Sequence, residues 1–416
     1  MVLPIPRQGV SMTLAEAVRA VTSIPFSSFM EGEALARFEE AFARYLHAEH
    51  AVAVASGRYA FQLVMDAIGF TRKDEVIFPS LTIPVMPNVA MWSAAVRFAD
   101  VSLENYTLDP TAAADAVTPR TRAIVPTHLY GCPCDMGSLG DLAEDRGLVM
   151  IEDCAHATGA LYKGRQVGTQ GVASIFSMAT GKTPMAFGGG IITTDDGAID
   201  HAVREAVAKE VRPSRTRTTK AVLKDTAVWA LTRQPLFSLS VFPALALSSA
   251  LGSLSGSAAT DPFAEEERRL ETLPAGSRGN LTNVQAVKGL SGLDHLDEEL
   301  SRRRANAHAL DRELADIPAL TLPGAPRNAE HAYHGYCSRV KDRAGFMKRM
   351  LRRGVDTRAT PMMACGSLSM FGGATGRCPT AEVLARELVH LPVHPPLGKP
   401  EMAAVARAAR YVTEGR

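Results

Sequence analysis

The sequence predicts an α/β fold in which a large domain on a mostly parallel seven-stranded sheet precedes a smaller C-terminal α+β domain. Two patterns and the chain length carry that expectation. Short apolar runs alternate with amphipathic stretches between about 51 and 194, as in a sheet whose strands are joined by helices packed on both faces. Asp153, Ser177 and Gly57 each fall at or just after the end of an apolar run, where ligands bind in such sheets. At 416 residues the chain exceeds one simple core, so a second domain is expected.

The candidate strands are Ala51–Ala55, Glu75–Pro79, Val96–Ala99, Ala123–Pro126, Leu148–Glu152, Ser174–Ser177 and Gly190–Thr194, with helices between several of them, such as Tyr59–Ala67 and Ser138–Asp145. The stretch 212–272 differs. It opens on the basic run Arg212-Pro-Ser-Arg-Thr-Arg217 and then carries no charge between Arg233 and Asp261. About 20 apolar residues suffice to cross a bilayer, but Pro235, Pro243 and repeated serines make a poor spanning helix. A helical hairpin on the body or in a subunit interface, a segment resting on a membrane surface and a spanning helix all stay open. Beyond Asn283 the helical period returns, with a long charged helix at Leu293–Leu314, a short α+β region over Ala332–Val340 and Arg343–Arg353, and a last helix at Pro400–Thr413. The expected division is 1–211, 212–272 as an apolar helical insert, and 273–416.

A net charge of +1 argues against a nucleic-acid partner. Six cysteines are too few for a disulfide scaffold in a chain this size. Cys132-Pro-Cys134 has no second pair at finger spacing, so no metal site is expected. The N-terminus lacks a basic stretch followed by an apolar core, and a cytoplasmic protein with reduced thiols is the expectation.

One constellation suggests chemistry. The apolar run Gly147-Leu-Val-Met-Ile151 delivers the acids Glu152-Asp153; Lys182 follows, and then Gly188-Gly-Gly190. That order suits pyridoxal 5'-phosphate (PLP): a lysine amine can form a Schiff base with the cofactor aldehyde, and a carboxylate can hold the pyridinium nitrogen protonated. Ser56-Gly57-Arg58 stands at a strand-to-helix junction, where first-turn amides bind phosphate. The Ser177 hydroxyl could donate to the same phosphate. His156 could lie against the ligand. Read singly, Lys182 is more simply a solvated lysine, Ser56-Gly57 a helix cap and His156 a structural histidine, while Asp153 is as readily a cap or ion-pair partner.

Together these pieces resemble the DegT family of aminotransferases, PLP enzymes of fold type I. The resemblance runs over most of the chain: Ser56-Gly57, Asp74-Glu-Val-Ile-Phe-Pro-Ser80, His128-Leu-Tyr-Gly131, Glu152-Asp-Cys-Ala-His156, Ser177-x4-Lys182-x6-Gly189-Gly190, Asn283-Val-Gln-Ala286, His331-Ala-Tyr-His334 and Leu391-Pro-Val-His394. It implies Lys182 as cofactor anchor and proton shuttle, Asp153 on the pyridine nitrogen, His156 near the ring hydroxyl, and Gly57, Arg58 and Ser177 on the phosphate. It also implies an amino-acid donor such as glutamate, a keto-sugar acceptor, and a homodimer in which Arg278 is the residue expected to cross to the neighbouring site. The departures are Arg58 for the usual threonine, Ile83 for the ring-stacking aromatic, Gly188 for an acid, and an apparent exchange in Arg278-Gly-Asn280. They leave two alternatives: a PLP-dependent lyase, dehydratase or carbon–nitrogen bond-forming enzyme on a non-sugar substrate, and a non-catalytic regulatory or membrane-associated member.

Overall fold

The computed structural model describes residues 3–211, 213–251, 269–372 and 377–414. Seven strands form the central sheet: β1 (His50–Val54), β2 (Glu75–Pro79), β3 (Ala95–Ala99), β4 (Thr121–Ile124), β5 (Val149–Asp153), β6 (Ala173–Ser177) and β7 (Gly190–Thr194). Their spatial order is β1-β7-β6-β5-β4-β2-β3. Every neighbouring pair is parallel except those of β7, which runs antiparallel to both β6 and β1. The carboxyl ends of β1, β5 and β6 therefore open on one edge, and the chain enters β7 from that same edge through the glycine run. Each strand lies within one or two residues of its expected position, because a strand buried on both faces reads as a short unbroken apolar run.

The helix Ala34–Leu46 shows how the covering layer packs. It buries Phe38, Phe42 and Leu46 at helical spacing, and the Phe42 ring meets Phe176 of β6 edge-on at 5.1 Å. Beneath the strand end, Glu152 is fully buried and accepts from the amides of Gly168 at 2.8 Å and of Gln170 and Gly171 at 2.7 Å. His128 lies 3.0 Å from the same carboxylate. The Nδ1 of His128 accepts from the Cys134 amide, so its Nε2 carries the proton and donates to Glu152. Burial raises the Glu152 pKa, but His128 and the backbone amides outweigh it and hold the carboxyl below its ordinary value. With Cys154 these residues form a group compact enough to ligate a metal, yet the histidine and carboxylate already spend their lone pairs on protein donors. The knot braces the strand that delivers Asp153.

The C-terminal part has its own core of Ala307, Leu310, Tyr336, Phe346, Val389 and Val405 around a three-stranded sheet, Tyr336–Arg339, Leu388–Leu391 and Arg358–Ala359, with Leu388–Leu391 in the centre. Ile5 from the N-terminus bridges to Val355 and joins this core. The long charged helix expected at Leu293–Leu314 is found at Leu296–Leu314, and a separate helix, Asn283–Asp294, precedes it across His295. Leu296 turns fully into the core there, and Asp297, Glu298 and Glu299 crowd the first turn that follows, where acids favour a new helix start. The expected Ala332–Val340 strand shortens to Tyr336–Arg339, since Tyr333 takes a positive φ.

Residues 215–250 are helical, as Arg215–Leu231, Phe237–Val241 and Phe242–Ala250. The first helix is no free appendage. Val222 is fully buried, the Trp229 indole donates to the Met12 carbonyl at 2.6 Å, and Arg215 donates to the Phe26 carbonyl at 3.1 Å. Among the described residues no helix is long and apolar enough to cross a membrane.

Candidate active site

Lys182 lies on the loop after β6, and the chain folds sharply on either side of it. Gly181 has φ +79°, Gly188 +97° and Gly189 +113°, which only glycine adopts without strain. At Gly190 a Cβ would sit 2.7 Å from the Gly57 amide nitrogen, so β7 can enter beside the Ser56 turn only as bare backbone. The turn is capped by Ser56, whose hydroxyl accepts from the Tyr59 amide at 3.2 Å and donates to the Ser277 carbonyl at 2.8 Å. Gly57 opens the helix Gly57–Ile68, and a Cβ on it would rest 3.9 Å from that of Ser177. Gly57 and Ser177, two of the three residues expected to hold a phosphate, are thus brought together at a helix N-terminus.

Asp153 ends β5 with a buried carboxylate that accepts from the Ala155 amide at 3.0 Å. Burial raises its pKa, and Lys182 draws it back down. The same burial depresses the Lys182 amine to about 7, against the pull of Asp153 and with the help of Arg358. That depression favours the unprotonated amine, the form a nucleophile or base needs.

Lys182 opens on a cleft of about 550 Å³ that also admits Ile83, His156, His334 and Arg358. His156 and His334 stack at 4.4 Å with an interplanar angle of 16°, and the Tyr130 amide donates to the His156 Nδ1 at 3.3 Å. Burial, with Lys182 second, holds His156 well below the usual imidazole pKa. It is a neutral ring with its Nδ1 already engaged. Arg7, Lys224, Arg303 and Arg358 line the cleft, and no acid does among its described lining residues.

Arg278 and Gly188 sit elsewhere. They line a neighbouring cavity of about 560 Å³ with Arg217 and Lys224, and Arg278 lies 3.7 Å from Glu210 of its own chain. Arg58 shares that environment: burial and the nearby Arg217 lower its pKa. The segment around Arg278 is tied to the phosphate turn, with the Ala55 amide donating to the Gly279 carbonyl at 2.8 Å.

Sequence reasoning missed the wall between these two cavities. It is the helix Arg215–Leu231, which presents Lys224 to both and Val228 to the first. It is pinned to the lysine loop by Thr180, whose hydroxyl donates at 2.6 Å to the buried Asp225. The weak amphipathic pattern of Arg215–Leu231 gave no such signal. Arg358 and His390 were missed as site residues too, being far along the chain and in no local motif, and His394 was read only as part of Leu391-Pro-Val-His394 without a role.

A profile of the DegT/DnrJ/EryC1/StrS aminotransferase family matches residues 12–226 and 245–410. The chain belongs to that family. The aminotransferase is 30% identical over 396 residues, 93% of this chain and 89% of the other, to dTDP-3-amino-3,4,6-trideoxy-alpha-D-glucose transaminase of Streptomyces venezuelae. It is also 30% identical over 382 residues, 89% of this chain and 88% of the other, to the erythromycin biosynthesis sensory transduction protein EryC1 of Saccharopolyspora erythraea. Its fold is shared with the crystal structure of DesV from S. venezuelae (TM-score 0.73, 28% identity, 96% of this chain and 94% of the other). DesI, solved in the presence of its TDP-sugar product, superposes with a TM-score of 0.75 at 27% identity, over 100% of this chain and 95% of the other. The match leaves out residues 227–244, which lie within 212–272.

The enzyme is thus a PLP-dependent aminotransferase, and the residues present fit the cofactor. When bound, it supplies an aldehyde carbon to carry the amino group and a ring that disperses electrons. Asp153 suits the ring nitrogen because a buried carboxylate needs a charged donor, and Gly57 leaves the helix N-terminus bare for a phosphate. Lys182, which lies on the loop beside these groups, is the residue that would anchor the cofactor and move a proton to or from the substrate carbon.

Proposed function

We propose that the aminotransferase carries an amino group from an amino acid, glutamate being the expected donor, to a keto-sugar, with a nucleotide-linked sugar as the favoured class and secondary-metabolite or polysaccharide assembly as the setting. The observation that carries this reading is the cleft itself. Its lining joins the cations Lys224 and Arg358 to neutral histidines around Lys182, with no acid among its described lining residues, which suits a substrate with an anionic part and an uncharged ring. The names of the relatives above support it. Holoenzyme mixed with glutamate should lose its visible absorption, and keto-sugars or cyclitol ketones should restore it. Absence of any change with amino donors would move the enzyme to the lyase or carbon–nitrogen bond-forming alternative.

The assignments of Lys182, Asp153, Gly57, Arg58, Ile83, His156, Ser177 and Arg278 belong to this proposal, as do the three-part division of the chain and a cytoplasmic location, which six free and buried thiols support. So does a homodimer. Leu236, Leu239, Leu247 and Leu251 are 47%, 75%, 61% and 72% exposed, an apolar face that a single chain leaves uncovered. Sedimentation equilibrium should give a dimer that Leu239→Asp with Leu247→Asp weakens. If the wild type instead floats with phosphatidylglycerol-containing vesicles as a monomer, the face is a membrane contact.

A further inference from the structure

Lys182 closes a tight turn. Its amide donates to the Ala179 carbonyl at 3.0 Å, and Gly181 takes φ +79° at the third of the four positions, the corner that such turns give to glycine. Thr180 is the other corner. Its hydroxyl donates at 2.6 Å to Asp225, a carboxylate only 2% exposed. On the far side of the lysine, Thr183 donates its hydroxyl at 3.0 Å to Glu299, which is also buried. The two acids come from different helices, Asp225 from Arg215–Leu231 and Glu299 from Leu296–Leu314. Threonines two residues before and one residue after the lysine are thus each tied to a buried carboxylate.

The two ties differ in what supports them. Glu299 pairs with Arg303 at 2.8 Å, and Arg303 also donates to the Thr183 hydroxyl at 3.2 Å. That end is balanced in charge and belongs to the body of the protein. At the other end burial raises the Asp225 pKa, and the Thr180 hydroxyl and the charge of Lys224 draw it back. Removing the hydroxyl would leave that buried carboxylate short of a donor, which is costly. The same helix brings Lys224 to the cleft that Lys182 enters.

We infer that Thr180 and Thr183 bracket Lys182, and that Asp225 is a positioning residue that fixes where the lysine side chain starts. A lysine carries its amine on a flexible four-carbon stem, so the amine is placed only as well as its backbone is held. A shift of about 1 Å in a reacting group can cost about 10²-fold in rate. Asp225 touches no reacting atom; it acts through Thr180 and the turn. It also sets Lys224, the next residue on the helix, at a fixed reach from the amine, so the cation for the substrate's anionic part and the reactive lysine share one support. The inference rests on the reading of Lys182 as cofactor anchor.

The test compares hydroxyl-keeping with hydroxyl-removing changes in the full chain. Thr180→Val keeps the volume and removes the donor. It should lower kcat about 10-fold while KM for glutamate stays within about 2-fold, and apoenzyme should take up PLP about 10-fold more slowly, followed by the visible absorption of lysine-bound cofactor. Thr180→Ser should restore most of both rates. Asp225→Asn, whose amide oxygen still accepts, should keep most of both, whereas Asp225→Ala should resemble Thr180→Val. In the Thr180→Val, Asp225→Ala double variant the losses should not add, since each removes the same bond. A folding defect lowers the amplitude of uptake rather than its rate, so the two effects are read apart. Wild-type kcat and uptake in Thr180→Val, a Thr180→Ser variant as poor as Thr180→Val, or additive losses in the double variant would each overturn the bracket and leave Lys182 as the anchor. Retention of the visible absorption in Lys182→Ala would overturn the anchor reading itself, whatever the Thr180 variants do.

Discussion

Lys182→Ala should fold and yet lose at least about 10⁴-fold in kcat, more than removal of a lone general base costs, because one amine has two duties. On the proposed reading it both anchors the cofactor and moves the proton. The purified variant should also lack the visible absorption of lysine-bound cofactor. Lys182→Arg should be nearly as poor, since a guanidinium stays protonated in proteins and cannot act as a base. Small primary amines added to Lys182→Ala should restore part of the turnover, because the loop of Gly181, Gly188 and Gly189 holds its shape without the side chain. Wild-type turnover and absorption in Lys182→Ala would remove the lysine from the chemistry altogether.

That lysine, and most of what surrounds it at the sheet edge, was legible because it is local. Asp153, Ser177 and Gly57 each follow an apolar run, and a parallel sheet brings the ends of such runs together whatever lies between them. The opposite wall was legible only in part. His156 was a candidate, but its close stacking on His334 joins two distant segments, which no periodicity encodes, and His390 and Arg358 were not found. The helix Arg215–Leu231 failed for another reason. Its inward residues include Thr218 and Asp225, so a buried face made partly of polar groups reads as solvated, although Asp225 is answered by Thr180 at 2.6 Å. The charged helix expected at Leu293–Leu314 was found, and only its start was misplaced: Leu296 and the acids after it mark the boundary only once the direction of the core is known.

Asp153→Asn separates the two roles assigned to this carboxylate, and it should cost about 10²–10³-fold in kcat, the range for removing one well-placed electrostatic partner. The loss comes from the holoenzyme, where an amide cannot stabilise a protonated ring nitrogen as a carboxylate does. In the apoenzyme the effect has the opposite appearance. Burial lowers the Lys182 amine to about 7, while Asp153 acts the other way and raises it. Removing that charge lets burial and Arg358 act unopposed, so the pKa of Lys182 falls further. Only the unprotonated amine captures the aldehyde, so the wild-type rate of cofactor uptake should climb with pH through a midpoint near 7, and the Asp153→Asn midpoint should lie below it. At pH values under the wild-type midpoint the variant would then capture PLP with a larger fraction of its lysine reactive, yet turn over far more slowly once loaded. Stopped-flow uptake across pH, beside kcat on the loaded protein, reads both. An uptake midpoint that stays put or moves upward would show that Asp153 does not act on Lys182 through charge.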